Sequence, residues 1–304
     1  MKRIIRQSIV ILAISVAMPA MVAKEGGDQY PNGAENWFAG ALPPQGTYFI
    51  DYFGYYTGQL RDGLGDQVRL GGSKPSVSAV FDAVRFVHVT RFKVFGADWG
   101  VHVIAPVVSQ SMDLGGRNSR VGIGDLIVDP LILGWHRERW SAVAGLDVGV
   151  PTGHFDKNDP RVSIGANYLS FEPVFAFTCF PKGGWETSAK LMYNTKTTNA
   201  RTNYHSGDEF HADYVVGRHI GAWSIGVSGY ALKQLTDDTV AGRVLAAAPG
   251  LWSAGRTGQV LAFGPSVAYT NKRHMTFIAQ WQHETLVRNR FGGDKLWFKI
   301  VVPI

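Results

Sequence analysis

The sequence predicts an all-β protein, a single antiparallel up-and-down transmembrane β-barrel of about 12 strands. Composition is the first reason: 12% of the 304 residues are aromatic, 18% are charged and 36 are Gly. Soluble domains carry roughly 25% charged residues and about 7% Gly, so this chain is poor in charge and rich in glycine. The other two reasons are an export signal at the N-terminus and a regular alternation of short and long connections between extended segments.

The first residues have the pattern of a secretory signal peptide. Lys2, Arg3 and Arg6 precede an apolar run over residues 9–22 that is too short to span a bilayer. Residues 1–23 are therefore predicted to be a signal peptide that is cleaved near Ala23. Removing it leaves 27 basic and 24 acidic residues, a net charge of +3, which gives no electrostatic argument for nucleic-acid binding. A disulfide framework is excluded because Cys179 is the single cysteine.

Extended segments follow the signal and an intervening N-terminal segment, residues 24–45. Pro43 and Pro44 make that segment stiff and non-helical, and we expect it to fold into the lumen. From residue 46 to residue 304 the chain is rich in β-branched and aromatic residues, and it holds no apolar run of about 18 residues that would make a helical span. Strands are predicted near residues 46–58, 77–95, 98–109, 122–135, 140–152, 166–180, 184–197, 208–220, 222–235, 257–270, 274–287 and 294–303.

The last strand shows the two-residue period most clearly. Leu296, Phe298, Ile300, Val302 and Ile304 share one face, while Lys295, Trp297, Lys299 and Val301 share the other. The first face suits lipid and the second suits a polar interior. The expected lipid-facing positions here include Phe298, Ile300 and Val302.

Short and long connections alternate along the chain. The short ones are expected at residues 96–97, 136–139, 181–183, 221 and 271–273, and the long ones at 59–76, 110–121, 153–165, 198–207, 236–256 and 288–293. Tight periplasmic turns and long external loops are typical of outer-membrane barrels, which have an even number of strands in bacteria. A soluble β-sandwich does not require this regularity.

Several blocks of the sequence resemble one family, the proteins named for the meta-pathway of phenol degradation. The resemblance covers the chain from about residue 34 to the C-terminus and rests on Glu35–Trp37, Leu42–Tyr48, Gly122–Asp125, Pro151–Gly153, Asn167–Pro173, Ser206–Phe210, Gly264–Pro265, Asn289–Arg290 and Gly293–Asp294. It implies an outer-membrane channel associated with the uptake of aromatic or other hydrophobic compounds. The chain departs from such barrels at its last residue, Ile304, where many of them end in an aromatic side chain.

Enzyme motifs are missing from the sequence. His283–Glu284 lacks the second His of a zinc protease motif, and Gly226–Tyr230 lacks the last Gly of a nucleophile elbow. A non-haem iron triad could be assembled from His102, His211 and Asp213, although nothing in their spacing requires it. We therefore predict a protein that is not an enzyme, with no catalytic residues, no metal site and no cofactor.

Polar residues inside the predicted strands are the candidate functional residues. A charge that faces lipid at the middle of the bilayer costs about 2–4 kcal/mol for Arg or Lys, so charged strand residues are expected to face the lumen. They either form salt bridges that brace the barrel wall or form a constriction that selects permeants. The predicted lumen residues are Asp51, Arg85, His102, Asp125, Asp129, Asp147, Glu172, Lys190, His211, Asp213 and Lys299.

These observations favour a channel in the bacterial outer membrane for the passive uptake of small hydrophobic or aromatic compounds. The alternative is a structural or adhesive barrel with a plugged lumen and no transport, and an enzyme of aromatic degradation is the third possibility. The expected partners are outer-membrane lipids, the permeant and the barrel-assembly machinery. The sequence leaves the oligomeric state and the identity of the permeant open.

Overall fold

The computed structural model of the protein describes Asp28 and residues 30–304. The predicted signal peptide lies outside these residues. Among them, no helix has the length and apolar character to cross a membrane, and the helical elements are two 3-10 turns, Pro160–Val162 and Ala254–Arg256. The strands are β1 Gly46–Leu60, β2 Ser76–Val94, β3 Ala97–Asp113, β4 Arg117–Ile123, β5 Leu126–His136, β6 Trp140–Val150, β7 Ser170–Cys179, β8 Trp185–Lys196, β9 Tyr204–His205, β10 Glu209–Ile220, β11 Trp223–Gln234, β12 Thr239–Val240, β13 Arg243–Val244, β14 Gln259–Thr270, β15 Thr276–Arg288 and β16 Phe291–Pro303.

The long strands form one closed antiparallel barrel, as the sequence predicts. Each pairs with its neighbours in chain order, and β1 closes the ring by pairing with β16 from Tyr48–Pro303 to Leu60–Phe291. Strands β4 and β5 act as one wall element, because β4 pairs with the outer part of β3 and β5 with its first part. Counted this way, the barrel has 12 strands. Closure removes every free strand edge from the membrane.

Short turns gather at one end of the barrel, the turn end, and longer connections at the other, the loop end. The turns between β2 and β3, β5 and β6, β7 and β8, β10 and β11, and β14 and β15 lie where the sequence places them. Two predicted loops are much shorter than expected. Of the predicted loop 110–121, only residues 114–116 lie between β3 and β4. Strands β15 and β16 continue past the predicted boundaries at residues 288–293 and are joined only by Asn289 and Arg290, so a polar, Gly-rich stretch forms a strand instead of a loop.

The two faces of the wall follow the predicted period of two. In β16, Lys295, Trp297 and Lys299 are buried inside the barrel, whereas Leu296 and Phe298 are exposed on its outer surface. An apolar outer band and a mixed interior are what a barrel in lipid requires. In this barrel Lys295 and Lys299 are buried because the N-terminal segment lies beside them in the lumen.

A bulge interrupts the wall in β5. Pairing between β5 and β6 shifts between Val128 and Leu133, where Pro130 has no N–H to offer the ladder. The Asp129 carboxylate compensates by accepting hydrogen bonds from the backbone N–H of Leu131 (2.7 Å) and of Leu146 (3.0 Å). Asp129 therefore braces the wall at a point where the backbone cannot pair with itself.

Replacing Phe298 by Arg is expected to block assembly of the barrel. Phe298 is 55% exposed on the outer face, and an Arg near the bilayer midplane costs about 2–4 kcal/mol. The measurement is the fraction of protein recovered in the outer membrane that migrates faster in gels before boiling than after. Phe298→Leu is the control, because it keeps the face apolar. Equal recovery of the Arg and Leu variants would contradict the face assignment.

Candidate functional site

Most of the predicted lumen residues do face the interior of the barrel. The structure places the side chains of Arg85, His102, Asp129, Asp147, Glu172, Lys190, His211, Asp213 and Lys299 there, and all except Arg85 are at most 8% exposed. Their positions do not by themselves show a role in permeation. What they contact does indicate a role. Of the two other predicted residues, Asp125 lines a cavity of the lumen near the loop end, whereas Asp51 points outward.

The lumen prediction is wrong for Asp51. Its neighbours in β1, Ile50 and Tyr52, are buried inside the barrel, so Asp51 points outward. There it lies near Asp82, an exposed outward residue of the adjacent strand β2. The prediction fails because β1 carries apolar side chains on its inner face, and polarity therefore does not distinguish the lumen side of this strand.

Asp125 holds an inward-folded loop. It lies between β4 and β5, and its carboxylate accepts hydrogen bonds from the backbone N–H of Gly153 (2.8 Å) and of Ala166 (2.7 Å). Both partners belong to the connection between β6 and β7. The two oxygens therefore fix both ends of this loop against the wall, and the contacts favour a bracing role over a selective one.

The N-terminal segment occupies one side of the lumen. We call residues 30–42 the plug. Its groups bond to the inner faces of β7 to β16: Asn36 Nδ2 donates to Gln280 (2.6 Å), Trp37 Nε1 to Ser266 (2.8 Å), the Phe38 N–H to Glu186 (2.6 Å) and the Gly40 N–H to Thr178 (3.0 Å). Polar side chains on these strands thus supply hydrogen-bond partners for the plug, whose backbone is not part of a β-sheet.

Close packing brings the plug against glycines in the wall. A Cβ atom at Gly217 would lie 2.2 Å from the indole of Trp37, so only glycine leaves room for that ring. Gly33 within the plug has a φ of +88° and sits against Gln282, whose Nε2 donates to the Gly33 carbonyl (3.1 Å). The plug therefore has one defined path through the barrel.

Glu35 of the plug forms the densest group of contacts. Arg85 Nη1 donates to its carboxylate at 2.6 Å, and Lys299 and the Tyr52 hydroxyl also donate to it. Burial alone would raise the pKa of Glu35, but the charges of Lys299, Arg85 and Lys190 outweigh it and hold the pKa at about 2. Glu35 is thus an ionised latch between the plug and strands β1, β2 and β16.

Asp213 forms the second anchor of the plug. It accepts hydrogen bonds from the Tyr30 hydroxyl (2.7 Å), the Gly33 N–H (2.8 Å) and the Glu35 N–H (3.1 Å). Burial and the adjacent carboxylate of Asp213 raise the pKa of Tyr30 well above its ordinary value, so its hydroxyl stays a donor. Nearby, His211 Nδ1 lies 2.7 Å from the side-chain oxygen of Asn32.

A chain of charged side chains joins these anchors under the plug. Arg85 Nη2 donates to His102 Nδ1 (2.8 Å), His102 Nε2 lies 3.0 Å from Asp147, and Asp147 lies 3.5 Å from Lys190. The Lys190 ammonium stands 4.3 Å from the centre of the Tyr30 ring. Glu172 is bonded separately, accepting from Asn194 at 2.8 Å.

The structure does not assemble the iron triad considered from the sequence. Within Asp28 and residues 30–304, the group of three potential metal ligands that lie within 4.8 Å of one another is His102, Asp129 and Asp147, without His211 or Asp213. Arg85 and Lys190 contact members of this group, and their positive charges oppose a bound cation. The contacts are those of an ion-pair network.

An apolar cavity of about 370 Å³ fills the other side of the lumen. It reaches from the loop end down to Arg85, His102 and Glu35, so the plug forms part of its floor. Its wall is mainly the inner face of β1, β2 and β3, completed by residues of the inward loop and of β16. The apolar lining residues include Tyr56, Leu60, Val77, Ala79, Phe81, Ala83, Ile104, Pro106, Val108, Met112, Phe155, Ile164, Phe291 and Trp297.

Sequence reasoning missed the residues of the plug and of the cavity wall. The block Glu35–Trp37 is part of the family resemblance, and that was the available signal for the plug anchors. The apolar wall had no such signal, because its residues look like ordinary strand residues. The lumen of this barrel therefore contains the plug and, beside it, a cavity whose wall on β1 to β3 is mainly apolar and whose other lining residues include the charged Lys190, Glu284 and Lys295.

The comparisons with known proteins agree with this architecture. A crystal structure of an outer membrane channel from Pseudomonas putida F1 matches with a TM-score of 0.72 at 14% identity, over 90% of this chain and 99% of that one. The translocator domain of the autotransporter NalP from Neisseria meningitidis gives 0.48 at 8% identity, over 87% and 91% of the two chains. The toluene transporter TodX of Pseudomonas putida gives 0.43 at 9% identity, over 95% and 96%. A search of the curated proteins finds no match.

The likeness to the Pseudomonas putida F1 structure shows the fold, a closed antiparallel β-barrel. A closed antiparallel barrel with an apolar outer band is the architecture of bacterial outer-membrane proteins. The family is shown by a separate comparison with family models, in which one model covers residues 47–300. The chain belongs to the family described as "Putative MetA-pathway of phenol degradation".

Proposed function

We propose that the protein is a channel for the passive uptake of small hydrophobic or aromatic compounds. The single observation that carries the proposal is the apolar cavity beside the plug. Its volume of about 370 Å³ is in the range of pockets that hold one small ligand. Aromatic side chains such as Phe81 and Trp297, whose ring centres are 4.7 Å apart, offer the apolar surface that an aromatic permeant needs.

The route that we propose runs from the loop end through the cavity and past the plug. Apolar molecules gain free energy as they leave water for such a wall, by about 25 cal/mol per Å² of apolar surface buried. A channel must nevertheless bind its permeant weakly enough to release it. Ionic contacts at the floor, centred on Glu35 and Arg85, form a polar boundary that binds an apolar molecule only weakly. Displacement of the plug would then complete the path.

The plug also supports the second candidate, a barrel closed for structural or adhesive purposes. Its contacts with Asp213, Gln280 and Glu186 are made by buried groups, and a permanently docked plug would leave the cavity as a blind pocket. The two candidates differ in one property, which is whether molecules that enter the cavity reach the periplasm.

Uptake by intact cells tests the proposal. The protein is produced in a host bacterium with few channels of its own, and the entry of radiolabelled toluene and phenol is compared with that of a disaccharide, which is polar and larger. We expect faster entry of the two aromatic compounds than in cells without the barrel, and unchanged entry of the sugar. Unchanged entry of the aromatic compounds, with the barrel folded in the membrane, would favour the plugged barrel.

The latch at Glu35 makes plug docking dependent on pH. Its pKa is about 2 when docked and about 4.5 in water, so the ionised form stabilises docking above pH 4.5 and this contribution is lost as the pH falls toward 2. We expect the single-channel conductance of the wild type to rise as the pH is lowered through this range. Glu35→Gln should conduct more than the wild type at pH 7 and respond less to acid. Identical pH profiles of the two proteins would contradict the latch.

A further inference from the structure

Basic side chains crowd the turn end of the barrel. Eight exposed cations lie on or beside the five short turns. In the part of the chain that the structure describes, the side-chain carboxylates near them are Asp98, Glu138 and the buried Glu186, which pairs with His219. The loop end is different, because its cations are mixed with many acidic residues such as Asp62, Asp66 and Asp156. We call the eight cations the basic collar: Arg91, Lys93, Arg137, Arg139, Lys182, Arg218, Lys272 and Arg273.

Neighbouring turns are tied to one another, so the basic collar is continuous around most of the rim. The Phe180 N–H donates to the carbonyl of Arg139 at 2.8 Å, and the His219 N–H donates to the carbonyl of Gly184 at 2.7 Å. The Thr270 N–H donates to the carbonyl of Ala222 at 2.9 Å. His136, at the β5–β6 turn, lies 3.9 Å from Asp98, at the β2–β3 turn, so these two turns are also in contact.

Most of these cations have their charge free for an external partner. Lys93 pairs with Asp98 at 2.7 Å. Arg137 and Arg218 each donate to a backbone carbonyl, of His136 and Gly183, which does not neutralise them. Among Asp28 and residues 30–304, the other members of the basic collar form no ion pair within 4.0 Å. Like charges on one rim repel one another, and anions bound among them reduce that repulsion.

Exposed aromatic rings place the basic collar at the depth of lipid headgroups. Trp140, Trp185 and Trp223 are 45%, 47% and 51% exposed at the turn ends of their strands, where amphipathic rings mark the membrane–water boundary. The guanidinium of Arg137 lies 6.0 Å from the centre of the Trp140 ring. The β2–β3 hairpin extends beyond Val89, the last residue of β2 that pairs with β1. Phe95, which is 91% exposed, projects from this hairpin.

We propose that the basic collar is a binding site for anionic phospholipids of the periplasmic leaflet. The rings would contact the acyl chains and glycerol region, while the guanidinium and ammonium groups would bind the phosphodiesters. Arg is suited to this because its planar fork donates two parallel hydrogen bonds to one phosphate. A lipid headgroup fits better than a soluble anion because apolar and cationic side chains alternate along the same rim.

Lipid retention measured by native mass spectrometry tests the site. The whole mature barrel, purified in detergent, is titrated with phosphatidylglycerol and separately with phosphatidylcholine of the same acyl chains. The test variant is Arg137→Gln with Arg139→Gln, and the matched control is Arg117→Gln with Arg120→Gln, two exposed cations of the loop end. Each variant is first shown to be folded by its shift in gel mobility on boiling.

We expect the wild type to retain phosphatidylglycerol more tightly than phosphatidylcholine. Each cation removed from the basic collar should weaken retention roughly fivefold, and the loop-end variant should behave as the wild type. Raising the salt from 0.15 M to 1 M, which shortens the screening length from ~8 to ~3 Å, should reduce the preference. Equal retention of the two lipids, or the same loss in both double variants, would overturn the proposal.

Discussion

Replacing Ala79 by Trp is expected to cut the uptake of toluene and phenol at least tenfold in cells that carry equal amounts of folded barrel. Ala79 lies on the inner face of β2 and lines the cavity. An indole at this position would project into the space of about 370 Å³ and would narrow the route for a permeant. The backbone of β2 keeps its pairing with Tyr56 and Gln110, so the barrel should still close.

The next residue provides a matched control. Val80 is 38% exposed and faces outward, so Val80→Trp adds the same ring to the same strand but places it against lipid, where aromatic side chains are well tolerated. Its uptake should equal that of the wild type. Reduced uptake in both variants would mean that Trp disturbs β2, and unaffected uptake in both would remove the cavity from the permeation path.

The cavity also explains where the sequence could and could not predict the lumen. On β8 and β10 the inward residues are polar because His211 and Asp213 bond to the plug and Lys190 pairs with Asp147 of β6. A polar strand residue therefore marks the lumen there. On β1 and β2 the inner face lines an apolar cavity, and the rule that charge points inward fails for Asp51. Local periodicity cannot reveal which half of the lumen a strand will face.

The plug illustrates a second limit. Its stiffness at Pro43–Pro44 and the prediction that it enters the lumen follow from local sequence. Its partners do not, since Tyr30 and Asp213 are 183 residues apart in the chain and meet only after the barrel closes. The strands, by contrast, are set by a period of two residues and by turns between neighbours. This is why the barrel was predictable in detail, while Glu35 was missed as a functional residue.

Asp213→Ala is expected to release the plug and raise the single-channel conductance severalfold at neutral pH. The substitution removes the acceptor of two buried donors, the Tyr30 hydroxyl and the Gly33 N–H, and of the partly buried Glu35 N–H. A buried donor left without a partner costs about 1–3 kcal/mol, so the docked plug would lose several kcal/mol relative to a hydrated one. The change would be measured in planar bilayers with protein whose fold is checked by its gel shift on boiling.

Glu172→Ala is the matched control for this prediction. Glu172 is also a buried carboxylate on the lumen face, but the hydrogen bond that it accepts comes from Asn194 of the wall and not from the plug. Its removal should lower the stability of the barrel without raising conductance. Asp213→Asn keeps one acceptor oxygen and should give an intermediate conductance, which preserves the test if the Ala variant assembles poorly. Wild-type conductance in both Asp213 variants would show that the plug is not what restricts the pore.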